Sequence, residues 1–429
     1  MAFDALFQPL KIGPVEIKNR IALAPLNTMF SLRTQGQMNE EVLAFYAARA
    51  RGGVGLVISE ACLATRLASR FPAFCNLHLF ELSHVHGLAE LVETVHSFGA
   101  RIFLQLSPGF GRQGASLIGE PSPAPSPIPW VAPRDTWARS FDILRRHPDM
   151  PGTEVLGGGT PREMTTEEIQ KEIGEFASSA RLAVMTGADG LELHLTHGYL
   201  AWQFLSPRSN KRTDQYGGSL ENRMRFMVET ITKTRESVAK HAPRMPIGVR
   251  VSADEHTPGG VTYEEMRKVV KTLVGLGIDY IHMSDGTYEA FKYLFPDHDG
   301  TMLEEAQGFK KLLGIPIITP SVYDPRLAEK AVSEGKTDMV SLGRQLIADP
   351  EWPNKVQEGR VKDLVRCPRD NFCIVRFLCG LPVRCTRNPN VGREKYDPAN
   401  WRPRGITGNE VLPGIVRKGG PIYPPTAPG

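Results

Sequence analysis

Two imidazoles and a phenol fall within six residues of one another, as His194, His197 and Tyr199 in the run HLTHGYL. Imidazole N–H groups can donate to an oxygen on which negative charge develops, and a phenol can deliver a proton. Either residue type alone is usually a satisfied core or wall residue. Three at one turn, followed by the polar loop QFLSPRSNKRTDQYGGSLENRMRF, point to a site. Single polar residues also interrupt apolar runs elsewhere, as Gln105 in FLQL and Arg250 in IGVRVS. A buried arginine at a strand end with no ligand would be costly, so a purely structural role for Arg250 is the weaker reading. Four cysteines, Cys367, Cys373, Cys379 and Cys385, recur at intervals of six. A disulfide scaffold would spread its cysteines over a short secreted chain, so this crowding suits a metal or cluster. Zinc is one candidate, because four thiolates suit it well. Cys62 and Cys75 read as buried small hydrophobes.

The elements that must carry these residues show in the periodicity. Leu191, Leu193 and Leu195 alternate with Glu192, His194 and Thr196, a period of two that reads as a half-buried strand. In all, eight short runs rich in β-branched residues or leucine recur, each followed by a helical pattern. They are Ile21–Leu26, Val54–Ala61, Ile102–Leu106, Gly190–Leu195, Pro246–Ser252, Tyr280–Ser284, Pro316–Thr319 and Asp338–Leu342. GLVIS and PIIT are nearly continuous apolar runs, as parallel strands covered on both faces require. Stretches such as EEVLAFYAARARG and TYEEMRKVVKTLVGLG end in glycine, as helices do. Eight alternating units specify a (β/α)₈ barrel, whose chemistry sits at the C-terminal ends of its strands. A doubly wound sheet is the alternative, but no strand is followed by G-x-G-x-x-G.

Pro9–Arg20 reads as a hairpin ahead of the barrel. Between the third and fourth strands, Ser107 to about Pro161 is too rich in Pro and Gly for regular structure. A loop of that length is usually functional or disordered, so a lid or substrate wall bearing Trp130 and Trp137 is expected. An interface arm is the competing reading. Residues 1–362 are assigned to the barrel, 363–395 to a Cys-rich segment and 396–429 to a Pro/Gly-rich C-terminal tail.

With 429 residues, 41% hydrophobic and 23% charged, the chain can bury a substantial core. A net charge of +4, with basic residues scattered, argues against a nucleic-acid surface. No apolar run reaches the ~18 residues of a membrane span, and the N-terminus lacks a secretory pattern. A cytoplasmic protein is expected.

HLTHGYL and the loop after it resemble the flavin-dependent Old Yellow Enzyme family, whose pattern is H-x-x-H/N-G-Y and then FLSP-x-x-N-x-RTD-x-YGGS-x-ENR-x-RF. The resemblance covers roughly residues 5 to 395. It implies FMN at the C-terminal mouth of a barrel. Pro25 and Leu26 would lie under the ring, Asn27 would stand where relatives carry Thr or Cys, and Ala61 would let the ring approach. Gln105 would pair with the pyrimidine edge and Arg250 would sit against N1 and O2. The phosphate would rest on Ser321, Gly343 and Arg344, although many relatives have a glycine pair where this chain has Pro320 and Ser321.

RCPRDNFCIVRFLCGLPVRCTRNPNVGRE resembles the iron–sulfur branch of that family, with the pattern C-x2-C-x2/3-C-x11/12-C. This branch includes 2,4-dienoyl-CoA reductase and trimethylamine dehydrogenase. Cys367, Cys373 and Cys385 match its first, third and fourth positions, and Asp370 stands at the second. Asp370 could be an oxygen ligand to a 4Fe–4S cluster, Cys379 could supply the fourth thiolate, or the site could hold three irons or none.

The activity implied is FMN-dependent ene-reduction. Flavin hydride goes to the β-carbon of an enone or enoyl thioester, His194 and His197 hold the carbonyl oxygen, and Tyr199 protonates the α-carbon. A flavin/iron–sulfur amine dehydrogenase or demethylase is the alternative, with Trp130, Trp137 and Tyr288 as an aromatic box. Tyr288 itself reads more simply as a loop aromatic. From another class, a flavin-free phosphate-binding lyase or isomerase lacks an obvious Schiff-base lysine at a strand end. A non-catalytic cluster scaffold would leave the His–His–Tyr trio inert. The donor would be NAD(P)H or, since no glycine-rich βαβ unit follows the barrel, a separate reductase or electron-transfer protein. A homo-oligomer without nucleic-acid or membrane partners is expected.

Overall fold

Strands rich in Ile, Val and Leu need a cover on both faces, and a closed parallel barrel ringed by helices provides it. A computed structural model describes residues 3–115, 119–133, 137–147 and 159–401. Eight parallel strands close on themselves: Ile21–Leu23, Leu56–Ile58, Arg101–Ser107, Gly190–His194, Ile247–Ser252, Tyr280–Ser284, Ile317–Pro320 and Met339–Leu342. The ring closes where Arg101–Ser107 pairs with Gly190–His194. All eight expected strands are present. The hairpin is there too, as Leu10–Ile12 against Val15–Ile17. The helices begin on the residues their sequences supply: Thr165 and Thr262 form capping boxes with Glu168 and Glu265, and Asn39 caps Glu40–Arg51.

Register sets polar residues side by side on neighbouring strands. Gln105 lies opposite Glu192, His194 opposite Arg250, and Arg250 opposite His282. Here the half-buried reading of Gly190–Leu195 needs correction, because every residue of the strand Gly190–His194 is buried. Its polar face turns into the barrel. Glu192 accepts from Gln105 Nε2 at 2.7 Å, Tyr280 Oη at 3.2 Å and His282 Nδ1 at 2.9 Å. Burial pushes its carboxyl up, but His282, Arg250 and Gln105 together hold it below the usual range. An anionic carboxylate therefore sits beneath the mouth.

The polar loop after HLTHGYL is mainly scaffold. Asn210 Nδ2 donates to the carbonyls of Phe204 and Tyr216, each at 2.7 Å, and Arg223 Nη1 donates to Leu205 at 2.5 Å. Phe204 stacks on Phe226 with ring centroids 4.6 Å apart. These contacts tie the short helix Leu200–Leu205 to the helix Leu220–Ala239, so the turn before it cannot drift.

The segment from Ser107 to Pro161 is more regular than its composition suggests. It holds the helix Ala138–Arg146, and its strand Pro123–Ala124 pairs with Arg162–Glu163. Glycine-rich residues 151–158 lie outside the described residues, as does the tail from 402 onward. No helix among the described residues is long and apolar enough to cross a membrane.

Candidate active site

The strand ends enclose a cavity at the C-terminal mouth of the barrel, where small-molecule sites of this architecture lie. His194, His197 and Tyr199 all line it. The ring centroids lie 4.9 Å apart for the two histidines, 5.3 Å for His194 and Tyr199, and 6.1 Å for His197 and Tyr199. The turn that gathers them is strained: His197 has φ +64° and Gly198 φ +76°. A Cβ at Gly198 would come within 3.2 Å of Gln113 Nε2 and Thr287 Cβ, so glycine is required there. Left-handed backbone at a bulky residue persists only where its surroundings impose it, and it marks functional turns.

Burial, with Arg250 beside it, lowers His194 to about 3 and holds His197 well below the usual range. Both rings are neutral at pH 7, so they can act as neutral donors rather than cations. His197 Nε2 bonds Ser284 Oγ at 2.8 Å, and His194 Nδ1 is buried without a partner. Burial and the neighbouring Tyr288 raise the Tyr199 phenol well above 10, so it keeps its proton. A histidine held at about 3 in the fold, against 6.5 unfolded, stabilises fully above pH 6.5. That stability is lost as pH falls towards 3. The melting temperature of the deflavinated protein should therefore drop between pH 6.5 and 4. His194→Asn should flatten that slope; an unchanged slope would contradict the neutral assignment.

The nine residues assigned to a cofactor border this same cavity. Pro25, Leu26, Asn27, Ala61, Gln105, Arg250, Ser321, Gly343 and Arg344 all line it. Arg250 is buried, its one hydrogen bond a long 3.5 Å contact to Pro25 O, and its Nε has no partner. Such a guanidinium calls for an anionic or strongly accepting ligand. Gln105 gives one Nε2 hydrogen to Glu192, which orients the amide and leaves its carbonyl oxygen to meet a ligand N–H. Asn27 donates to Cys75 O at 3.1 Å and accepts from Met29 N at 2.9 Å, so its amide chiefly shapes the loop. Apolar walls from Leu26 and Phe377 and a polar floor of Gln105, His194 and Arg250 fit a flat aromatic cofactor with a polar edge. The residues present fit FMN.

Tyr288, read from sequence as a loop aromatic, faces the cavity, its ring centroid 5.5 Å from Tyr199. Its backbone N–H donates to His197 O at 3.4 Å, which ties the sixth strand's loop to the strained turn. The tryptophans do not line the cavity. Trp137 is fully buried and donates from Nε1 to Tyr288 O at 2.7 Å, and Trp130 packs on it. The long loop therefore braces the wall from behind. Phe74, Phe110, Phe295 and Phe377 complete the wall. They escaped notice in the sequence because aromatics scattered over three loops and the short helix Phe372–Leu378 carry no spacing signal.

Cys373, Ile374, Phe377 and Val383 of the cysteine-rich segment also line the cavity. Burial pushes the Cys367 and Cys373 thiols up, and the neighbouring Cys385 adds to the rise at both, as Asp370 does at Cys373. Asp370 accepts from Thr386 Oγ1 at 2.6 Å, which draws its turn against the neighbour of Cys385. Cys379 stands apart. The helix Phe372–Leu378 begins next to Cys373 and ends at Cys379, and six residues rise ~9 Å and turn ~240°. Cys379 packs instead with Ile143 and Val375. Among the described residues, no three His, Cys, Asp or Glu side chains converge closely enough to hold a single metal ion.

A family model described as NADH:flavin oxidoreductase / NADH oxidase matches residues 5–363. An NADH oxidase of Thermoanaerobacter brockii is 40% identical over 400 residues, covering 91% of this chain and 57% of that protein. A cinnamate reductase of Clostridium sporogenes is 34% identical over 415 residues, covering 92% and 59%. The structure of a 2-naphthoyl-CoA reductase with 2-naphthoyl-CoA superposes with a TM-score of 0.80 at 29% identity, covering 92% of this chain and 58% of that one. The chain thus spans a little over half the length of these relatives.

Proposed function

The chain belongs to the NADH:flavin oxidoreductase / NADH oxidase family, and from that premise we propose that it is an FMN-dependent ene-reductase acting on an enone or enoyl thioester. The observation that carries this reading is the placement of a protonated Tyr199, two neutral histidines and the under-partnered Arg250 around one cavity. Bound FMN would supply the hydride for the β-carbon. His194 and His197 donate to the substrate's carbonyl oxygen as enolate charge develops on it. Tyr199 delivers its proton to the α-carbon, and Tyr288 holds the phenol in place. Phe74, Phe110 and Phe377 exclude water. A cinnamate reductase and a 2-naphthoyl-CoA reductase among the relatives support a conjugated acid or thioester as substrate.

Amine oxidation draws less support, because Trp130 and Trp137 stand behind the wall and cannot box a cation. A Schiff-base lyase draws none, since no lysine is found among the described residues lining the cavity. The reading is tested by purifying the protein without oxygen, quantifying flavin, and assaying NADH and NADPH against a panel of enones and enoyl thioesters. Saturation of the purified chain with FMN and alkene-dependent NAD(P)H consumption are expected. Absence of flavin would overturn the reading.

The proposal extends to an iron–sulfur cluster on Cys367, Cys373 and Cys385, with Asp370 as an oxygen ligand and Cys379 outside the site. A separate reductase or electron-transfer protein then becomes an additional electron source. A cytoplasmic homo-oligomer completes the proposal. Iron and sulfide content distinguish the two candidate ligands. Cys379→Ala should leave iron content unchanged, and Asp370→Cys should make the iron more resistant to chelators. Loss of iron in Cys379→Ala would contradict the assignment.

A further inference from the structure

We propose that Arg369 and Asn371, in the turn between Cys367 and Cys373, are positioning residues for the cofactor's phosphate, so that the cysteine-rich segment and cofactor retention are coupled. The inference rests on the FMN reading above. Seven non-glycine residues among those described have left-handed φ, and three of them meet here: Ser321 at +62°, Arg369 at +55° and Asn371 at +61°. Such conformations are costly and survive only where neighbours hold them.

The neighbours are two arginines. Arg369 donates to Pro296 O at 3.1 Å, to Ser321 O at 3.2 Å and to the Asp299 carboxylate. Its guanidinium carbon lies 3.8 Å from the centroid of the Tyr323 ring. Asp299 in turn accepts from the backbone N–H groups of Tyr323 at 2.8 Å and Asp324 at 3.0 Å. Gly300 N adds a second donor to Ser321 O at 3.1 Å. The Ser321 peptide is therefore clamped from its carbonyl side, and no described residue accepts from its N–H. That free amide, at the end of the seventh strand, is the group an anion would use.

Arg344 is held in the same knot, between Pro296 O at 2.8 Å and Asn371 Oδ1. Asparagine just before a helix ordinarily caps it. Asn371 makes no cap bond to the helix Phe372–Leu378; Asp370 Oδ1 takes the Phe372 N–H at 3.1 Å instead. The Asn371 amide is thus released for Arg344. The two phosphate-facing residues, Ser321 and Arg344, each depend on one residue of the cysteine-rich turn.

The test compares FMN with riboflavin, which lacks only the phosphate, on the deflavinated full-length chain. Asn371→Gly keeps the left-handed backbone and removes the amide. Arg369→Lys keeps the charge and removes the fork. Each variant should raise the FMN dissociation constant roughly tenfold, as loss of a charge-assisted contact does, and leave riboflavin binding unchanged. Unchanged FMN binding, or equal weakening of both ligands, would overturn the coupling. A parent chain that binds FMN no better than riboflavin would overturn the phosphate assignment beneath it.

Discussion

Tyr199→Phe is expected to lower turnover of weakly activated alkenes by ~10²–10⁴-fold, the range for loss of a positioned proton donor. Flavin reduction by NAD(P)H should stay nearly intact, because the phenol acts only after hydride leaves for the alkene. The buried Tyr199 phenol lies beside Tyr288 and keeps its proton across the neutral range. Burial likewise pushes Tyr288 up to about 12. Strongly activated substrates, whose enolates persist long enough to take a proton from solvent, should lose much less. Stopped-flow separation of the two half-reactions checks this. Equal collapse of both halves would show that Tyr199 positions the cofactor rather than the proton.

The second large effect is expected at Arg250. Among the described residues its guanidinium has no carboxylate in contact; Glu192 lies nearby but is committed to Gln105, Tyr280 and His282. A cation held in that way stabilises negative charge appearing on a bound ring far more than a solvated one would. Arg250→Met keeps bulk and removes charge. It should slow flavin reduction by ~10²–10³-fold, the range for losing one preorganised electrostatic contact, and make the flavin harder to reduce. Potentiometry on the loaded variant, alongside its flavin content, checks the claim. An unchanged potential would place the guanidinium's role in binding alone.

The barrel was legible because each strand announces itself. Runs such as GLVIS and PIIT are bounded by turns and separated by amphipathic stretches, and parallel strands covered on both faces have few other solutions. The catalytic trio was legible for a different reason: its members are neighbours in sequence. Tyr288 was not. It reaches the cavity only because the sixth strand's loop folds onto His197, a contact no local pattern encodes. The tryptophans misled in the opposite direction, since a Pro-rich loop says nothing about which face of Trp137 meets the core. In the cysteine run, equal spacing made Cys379 look equivalent to its neighbours. The helix Phe372–Leu378 breaks that equivalence, because its rise and turn carry Cys379 away from Cys373. The clamp of Arg369 and Asn371 on Ser321 and Arg344 joins three loops distant in sequence, so only the folded chain reveals it.

The most direct test is a single anaerobic experiment on the purified protein. Its bound flavin is reduced with NAD(P)H, excess donor is removed, and cinnamate or an enone is added while flavin absorption is followed. Reoxidation by the alkene without oxygen, with one saturated product per flavin, is the predicted result. Flavin that stays reduced in the presence of every activated alkene, yet reoxidises on admitting a protein electron acceptor, would contradict ene-reduction.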